Sequence, residues 1–288
     1  MKLTFLGATE TVTGSRYLLE GAGLRILIDC GLFEGTKNLR AHSWKPFPIP
    51  VDSLDAVILT HAHIDHSGYL PALVREGYRG PVYCTPGTAD LCGIMLDDNA
   101  TFSKEETGFA CRHGDSKQRP ALPLYAPDDA QRALQLLRPH EFDTPIALND
   151  AMCFRFLPAG HILSAASVVL CWRQTILAFS GDLRRPQASL IRAPSAPIHA
   201  DYLVVESIPS LSVHADYSDT LSWLGSMTDA PARTFITHGE PSAVNALRRQ
   251  ITETLGWCCE VPAPQQSVEL EERPIAGRAA LQVHLDAV

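Results

Sequence analysis

The sequence predicts a mixed α and β domain built in layers. Three observations carry this: short β-prone apolar runs fall into two clusters, runs with a helical apolar stripe bracket each cluster, and glycine-bearing turns separate the elements. Each such element has one apolar face to bury, and stacking sheets and helices buries those faces in a shared core. With 288 residues, 45% of them hydrophobic, the chain can bury a full core as one large domain or two small ones, and a single layered domain is the better reading.

Lys2 to Leu6, Ser15 to Leu19 and Leu24 to Ile28 read as three strands, a meander that opens a sheet. A connection through Pro46, Pro48 and Pro50 leads to a strand at Asp55 to Leu59, a polar loop, and a helix from Ser67 to Glu76 that starts on a good cap. Pro81 to Thr85 reads as another strand. Pro86 to Leu124 mixes helix-like and polar parts, whereas Pro127 to Arg138 has apolar residues at 130, 133, 134 and 137, the spacing of one helical face.

The second cluster of strands is Met152 to Leu157, Ser167 to Trp172, Thr175 to Phe179 and Tyr202 to Val205. Helices follow at Tyr217 to Met227 and Pro241 to Leu255, the latter striped by Val244, Leu247, Ile251 and Leu255, with proline in a tolerated first-turn position. Helices around both clusters predict two sheets packed face to face, covered outside by helices, with polar groups at one sheet edge. Residues 271–288 carry no motif and read as a short C-terminal extension.

The run His61-Ala-His-Ile-Asp-His66, directly after the apolar segment Asp55-Ala-Val-Ile-Leu-Thr60, has the composition of a metal site. His61 and His63, one residue apart, point the same way, while Asp65 and His66 are offset enough to face a second cation. Neutral imidazole and carboxylate are ligands that zinc accepts. Further candidates lie downstream: His161 in Gly160-His-Ile-Leu163, Asp182 in Ser180-Gly-Asp-Leu183, and His238 after Arg233-Thr-Phe-Ile-Thr237. Each sits just past a short apolar run and beside glycine, where a strand delivers a side chain into a cleft.

The order His-x-His-x-Asp-His, Gly-His, Ser-Gly-Asp and Thr-His-Gly-Glu resembles the metallo-β-lactamase superfamily. Gly7-Ala-Thr-Glu-Thr-Val-Thr-Gly-Ser15, Ile28-Asp-Cys-Gly31, Val205-Glu-Ser207, His214-Ala-Asp216 and His238-Gly-Glu-Pro241 narrow the resemblance to its β-CASP branch of nucleic-acid-processing nucleases, such as the RNase J enzymes and the endonuclease of mRNA 3′-end cleavage. The resemblance covers residues 1–270 and implies an αββα sandwich forming the catalytic core. One departure is large: the inserted β-CASP clamp domain is missing between 207 and 212, where Ile208-Pro-Ser-Leu-Ser-Val213 is too short for even one crossover unit. The abrupt loss of motif after Ser207 favours an engineered deletion over a naturally shortened relative. Arg184, Ser164-Ala165 and Val213 are smaller departures from the family pattern.

Carried over residue by residue, the resemblance implies one zinc on His61, His63 and His161 and another on Asp65, His66 and His238. Asp182 bridges the two, which share a hydroxide placed to attack a phosphodiester; manganese is an alternative metal. His214 would protonate the leaving oxygen with Glu206 in support, since a carboxylate partner raises imidazole pKa; the less favoured reading makes His214 a structural neighbour of a helix cap. Asp29, as the family motifs imply, would orient metal ligands from behind; by sequence alone it could equally be a turn residue before Gly31.

The implied function is a zinc-dependent ribonuclease core, weakened by loss of its clamp, acting on single-stranded RNA, with endonucleolytic and exonucleolytic modes both open and a homodimer possible from the family. A hydrolase of small esters, thioesters or lactones and a non-catalytic partner subunit are the alternatives. The net charge of −8 provides no overall electrostatic footprint for nucleic acid, so binding would fall to local basic groups. Arg184, Arg185, Arg112, His113, Lys117 and Arg119 could contact phosphates or be solvated loop charges. Eight scattered cysteines without a Cys-x-x-Cys pair are the usage of a reduced interior. Met1 to Gly7 lacks the apolar length of a signal peptide and no run is long enough to span a membrane, so a cytoplasmic chain without a membrane partner is expected.

Overall fold

The structure is a computed structural model that describes residues 1–113, 123–184, 191–196, 199–207 and 216–273. The strands of the first half are β1 (Lys2–Phe5), β2 (Tyr17–Gly21), β3 (Leu24–Ile28), β4 (Ala56–Ile58), β5 (Val82–Cys84) and β6 (Leu137–Pro139). Those of the second half are β7 (Ile146–Asn149), β8 (Met152–Pro158), β9 (Ala166–Trp172), β10 (Thr175–Phe179), β11 (Tyr202–Glu206), β12 (Arg233–Thr237), β13 (Cys259–Glu260) and β14 (Ser267–Glu269). The helices are α1 (Lys37–Arg40), α2 (Ile64–Ser67), α3 (Leu70–Arg75), α4 (Pro86–His113), α5 (Pro127–Leu134), α6 (Tyr217–Gly225) and α7 (Pro241–Leu255).

Two seven-stranded sheets result, ordered β14-β1-β2-β3-β4-β5-β6 and β13-β12-β11-β10-β9-β8-β7. Their inner faces form one apolar layer through Phe5, Tyr17, Ile28, Phe156, Val168, Phe179 and Phe235. The side-chain period of two explains why the same strands also serve the outer layers. Tyr17 and Leu19 of β2 point inward while Leu18 packs outward beneath α3 to α5; Tyr202 and Val204 of β11 point inward while Leu203 and Val205 pack outward with Leu224 and Leu247 of α6 and α7. The four layers are the αββα sandwich.

The structure adds β7, β13, β14 and α1 to the expected elements and changes three others. The helix expected from Ser67 to Glu76 is two short helices, α2 and α3, and α2 begins inside the histidine run. Pro86 to Leu124, unreadable as a pattern, contains the 28-residue α4. Pro127 to Arg138 is helical only to Leu134, after which Leu137–Pro139 becomes an edge strand because it pairs in parallel with β5. Among the described residues no helix is long and apolar enough to cross a membrane. Of residues 271–288, only 271–273 are described; Arg273 N–H donates to Thr175 Oγ1 at 2.8 Å. The described cysteines carry free thiols.

Candidate metal centre

Strands β3, β4 and β5 run parallel, as do β10, β11, β12 and β13. The polar motifs follow the carboxyl ends of several of these strands: Asp29 after β3, residues 61–66 after β4, Asp182 after β10, Glu206 closing β11 and His238 after β12. His161 reaches the same place from the turn between β8 and β9. The packing of the two sheets thus brings residues more than 200 positions apart, from Asp29 to His238, into one cluster. Asp29 and His238 hold left-handed backbone angles, φ +58° and +54°, a conformation that costs a non-glycine residue energy and marks positions fixed by their surroundings.

Two groups of donor atoms share Asp182: His61, His63, His161 and Asp182, and His66, Asp182, Glu206 and His238. In the first, His63 Nδ1 lies 3.1 Å from His61 Nε2 and 3.0 Å from His161 Nε2, and Asp182 Oδ2 lies 3.7 and 3.4 Å from the same Nε2 atoms. Ligands about 2.0–2.1 Å from a tetrahedral zinc ion stand about 3.4 Å from one another, so these four atoms already have the spacing of a coordination shell. In the second group, His66 Nε2 is buried without a hydrogen-bond partner, 3.6 Å from Asp182 Oδ1 and 3.7 Å from Glu206 Oε2. A lone nitrogen facing two carboxylates fits a cation. Asp65 Oδ2 stands farther out, 3.9 Å from His66 Nε2 and 3.4 Å from His238 Nε2.

Asp29 sets the tautomers of two of these histidines. It accepts hydrogen bonds from Thr60 N–H at 2.7 Å and Thr60 Oγ1 at 2.8 Å, and from His66 Nδ1 at 2.8 Å. With its hydroxyl proton given to Asp29, Thr60 Oγ1 accepts from His61 Nδ1 at 3.0 Å. Both rings therefore carry hydrogen on Nδ1 and present Nε2 to the centre, the arrangement in which an outer carboxylate orients a metal-binding histidine. Burial pushes the Asp29 carboxyl up from its ordinary value, an effect opposed by His66.

Electrostatics divides the two groups. Burial, His66 and the neighbouring histidines hold His61 well below its ordinary pKa, leaving it neutral and ready to ligate, although Asp182 acts in the opposite sense. For His66, burial lowers the pKa but Glu206, Asp182, Asp29 and Asp65 together raise it to about 10. His238 is likewise raised well above its usual value, burial being outweighed by Glu206, Asp182 and Asp65. It bonds at both ring nitrogens, Nδ1 to Glu206 Oε2 at 2.9 Å and Nε2 to the Val12 carbonyl at 2.6 Å. Carboxylates are in excess here, and a dication offers the compensating charge that protons provide in its place.

The resemblance pairs Glu206 with His214, which lies outside the described residues. Among the described residues Glu206 has a network: Oε1 accepts from Ser15 Oγ at 2.8 Å and Tyr17 Oη at 2.7 Å, and Oε2 accepts from His238 Nδ1. Sequence reading missed Ser15, Tyr17 and Thr60; Ser15 belongs to a quoted motif, but its partner is 191 positions away. Tyr17→Phe keeps the ring and removes one donor to a buried carboxylate. It is expected to cost about 1–3 kcal/mol of unfolding free energy in a urea titration, and an unchanged midpoint would contradict the network. Arg184 is half-buried beside the centre, whereas Arg185, Lys117 and Arg119, and the side chains of Arg112 and His113, fall outside the described residues.

Comparison with known proteins agrees with this geometry. Residues 24–106 match the family model described as a beta-lactamase superfamily domain, and residues 199–262 match the Zn-dependent metallo-hydrolase RNA specificity domain. The ribonuclease TTHA0252 of Thermus thermophilus is 38% identical over 221 residues, 77% of this chain and 47% of the relative. The transcription termination factor FttA of Methanocaldococcus jannaschii is 28% identical over 223 residues, 77% of this chain and 32% of the relative. The metallo-β-lactamase fold protein YhfI of Bacillus subtilis superposes with a TM-score of 0.57 at 16% identity, covering 93% of this chain and 98% of its own, a likeness of fold alone. Fold, histidine cluster and family matches together define a member of the metallo-β-lactamase superfamily, to which the chain belongs. Its match to the RNA specificity model sets it beside the ribonuclease and termination-factor relatives. The chain spans about half of the first of these relatives and about a third of the second.

Proposed function

We propose that the chain is the catalytic core of a two-zinc phosphodiesterase acting on single-stranded RNA. The observation that carries this reading is Asp182, whose two carboxylate oxygens face two donor groups, one with tetrahedral spacing and the other with a buried unsatisfied imidazole nitrogen. Zinc ions held there supply an activated water at neutral pH and offset negative charge developing on a phosphoryl group.

The protein's own residues define the rest. His61, His63, His161 and Asp182 would hold one ion, and His66, Asp182 and His238, with Asp65 or Glu206, the other. Asp29 and Thr60 keep the imidazole lone pairs turned inward. Glu206, tied to Ser15, Tyr17 and His238, fixes the His238 ring. Asp65 retains 21% side-chain exposure against 3% for Asp182 and 2% for Glu206, so it is the carboxylate of the centre that solvent reaches. His214 remains the proposed donor to the leaving oxygen. The connection from Ser207 to His214 has room for no clamp domain, so the core binds RNA weakly and cleaves it slowly. A reduced, cytoplasmic setting accords with the free thiols.

The test is a time course of zinc-loaded protein with end-labelled single-stranded RNA, resolved to single nucleotides. Slow product formation that requires Asp182 is expected. Protein verified to hold two zinc ions that leaves RNA intact while hydrolysing esters, thioesters or lactones would overturn the reading in favour of small-molecule hydrolysis.

A further inference from the structure

We propose that residues 35–48, between β3 and β4, form a platform on which single-stranded RNA lies at the mouth of the metal centre, with Trp44 stacking on a base and Lys37, Arg40 and Lys45 meeting phosphates. The inference rests on the RNA reading above and locates where its substrate binds. In a chain of net charge −8, this segment contains no Asp or Glu. Lys37, Arg40 and Lys45 are exposed, and none of them forms an ion pair with a described carboxylate. Trp44, next to Lys45 and four positions after Arg40 in the sequence, has 48% of its surface exposed.

The segment is held firmly to the centre. Cys30 N–H donates to His66 O at 2.7 Å and Leu32 N–H to Ile64 O at 2.9 Å, tying the end of β3 to the histidine run. Phe33 N–H then donates to Ser43 Oγ at 3.0 Å, folding the segment back on itself. Phe33 and Phe47, near its two ends, both lie over the Arg16 guanidinium, at 5.1 and 5.9 Å. On the other side, Glu34 N–H donates to Thr13 Oγ1 at 3.2 Å, and Val12, the residue before Thr13, touches His238.

Anchored ends leave the α1 turn and the following turn at Ala41–Trp44 presented outward, so Trp44 and the cations are displayed on a fixed support. Single-stranded RNA offers phosphates at regular intervals and base faces open to an indole; duplex RNA hides those faces. The pairing of unpaired cations with an exposed tryptophan therefore favours a single strand over a duplex.

The experiment is fluorescence anisotropy of a labelled, phosphorothioate-linked single-stranded oligoribonucleotide that resists cleavage and its duplex counterpart, with the zinc-loaded full chain, across a salt series. Trp44→Ala is expected to weaken single-strand binding about tenfold and duplex binding much less, with Trp44→Phe restoring most of it. Replacing Lys37, Arg40 and Lys45 by Gln together should lower the slope of log affinity against log salt by about 2. Each variant should melt as the parent does, since the altered side chains are exposed. Unchanged RNA affinity and slope in these variants, or equal loss in Trp44→Phe and Trp44→Ala, would overturn the platform while leaving the RNA reading intact. A parent chain that binds no single-stranded RNA at low salt would remove both. Displacement of RNA by poly-glutamate at equal charge would make the segment a general polyanion site and overturn the stacking role.

Discussion

Asp182→Ala is expected to remove bound metal from both halves of the centre at once. Its two carboxylate oxygens face different partners: Oδ2 faces His61 and His161 at 3.7 and 3.4 Å, and Oδ1 faces His66 and His238, each at 3.6 Å. Each donor group therefore loses its shared carboxylate, and the net negative charge that draws two dications together falls by one. Metal analysis after gel filtration should find two zinc ions per parent chain and fewer than one in the variant. RNA cleavage should fall on the order of 10³-fold, since activation of water and stabilisation of the phosphoryl charge are lost together. His161→Ala is the informative companion, because His161 belongs only to the first group. It should lose one ion and keep the other. Retention of both ions by Asp182→Ala would show that the two groups do not share this carboxylate.

The histidine run and its downstream partners were legible because each follows a short apolar run, and strand ends were where the structure brought them together. What the pattern could not show was who supports them. Thr60 reads as the last residue of an apolar strand, yet its backbone and hydroxyl both bond Asp29 and its oxygen fixes His61. Ser15 and Tyr17 read as the start of a strand, yet they hold a carboxylate 191 and 189 positions away. Such links arise when one sheet packs on the other, and no local period encodes them.

The fold divides in the same way. Continuous apolar strands buried on both faces, such as β9 and β10, and the striped helix α7 lie where their patterns place them, α7 over the expected Pro241–Leu255. By contrast, β6, β13 and β14 have two or three residues each and exist through pairing with β5, β12 and β1. The helix α4 lacked a readable face because exposed Ile94 and Phe102 interrupt its polar side and glycines 87 and 93 interrupt its propensity.

Gly31→Ala is expected to destabilise the fold by about 4 kcal/mol or more, the range reserved for changes that the surroundings cannot absorb. A Cβ built on Gly31 would stand 1.6 Å from the Asp65 carbonyl oxygen, 2.2 Å from its carbon and 2.9 Å from His66 N, all backbone atoms. No rotamer change relieves such a clash. The strand end and the histidine run must separate, breaking the hydrogen bonds from Ser15 N–H to Asp65 O at 2.8 Å and from Cys30 N–H to His66 O at 2.7 Å. The Gly31 carbonyl is also gripped from Arg16, by Nε at 2.8 Å and Nη2 at 2.6 Å, with the guanidinium 4.0 Å over the Tyr69 ring. Burial lowers the pKa of that guanidinium, and displacing Gly31 would leave a buried cation without its acceptor. Thermal unfolding should show the loss directly, and the fraction still folded should bind zinc more weakly at the group containing His66. Gly93→Ala is the control: its Cβ would meet nothing within 4 Å in α4, and it should stabilise by up to about 1 kcal/mol. Equal melting temperatures for Gly31→Ala and the parent, with both ions retained, would show that the approach of Gly31 to Asp65 does not hold the metal ligands in place.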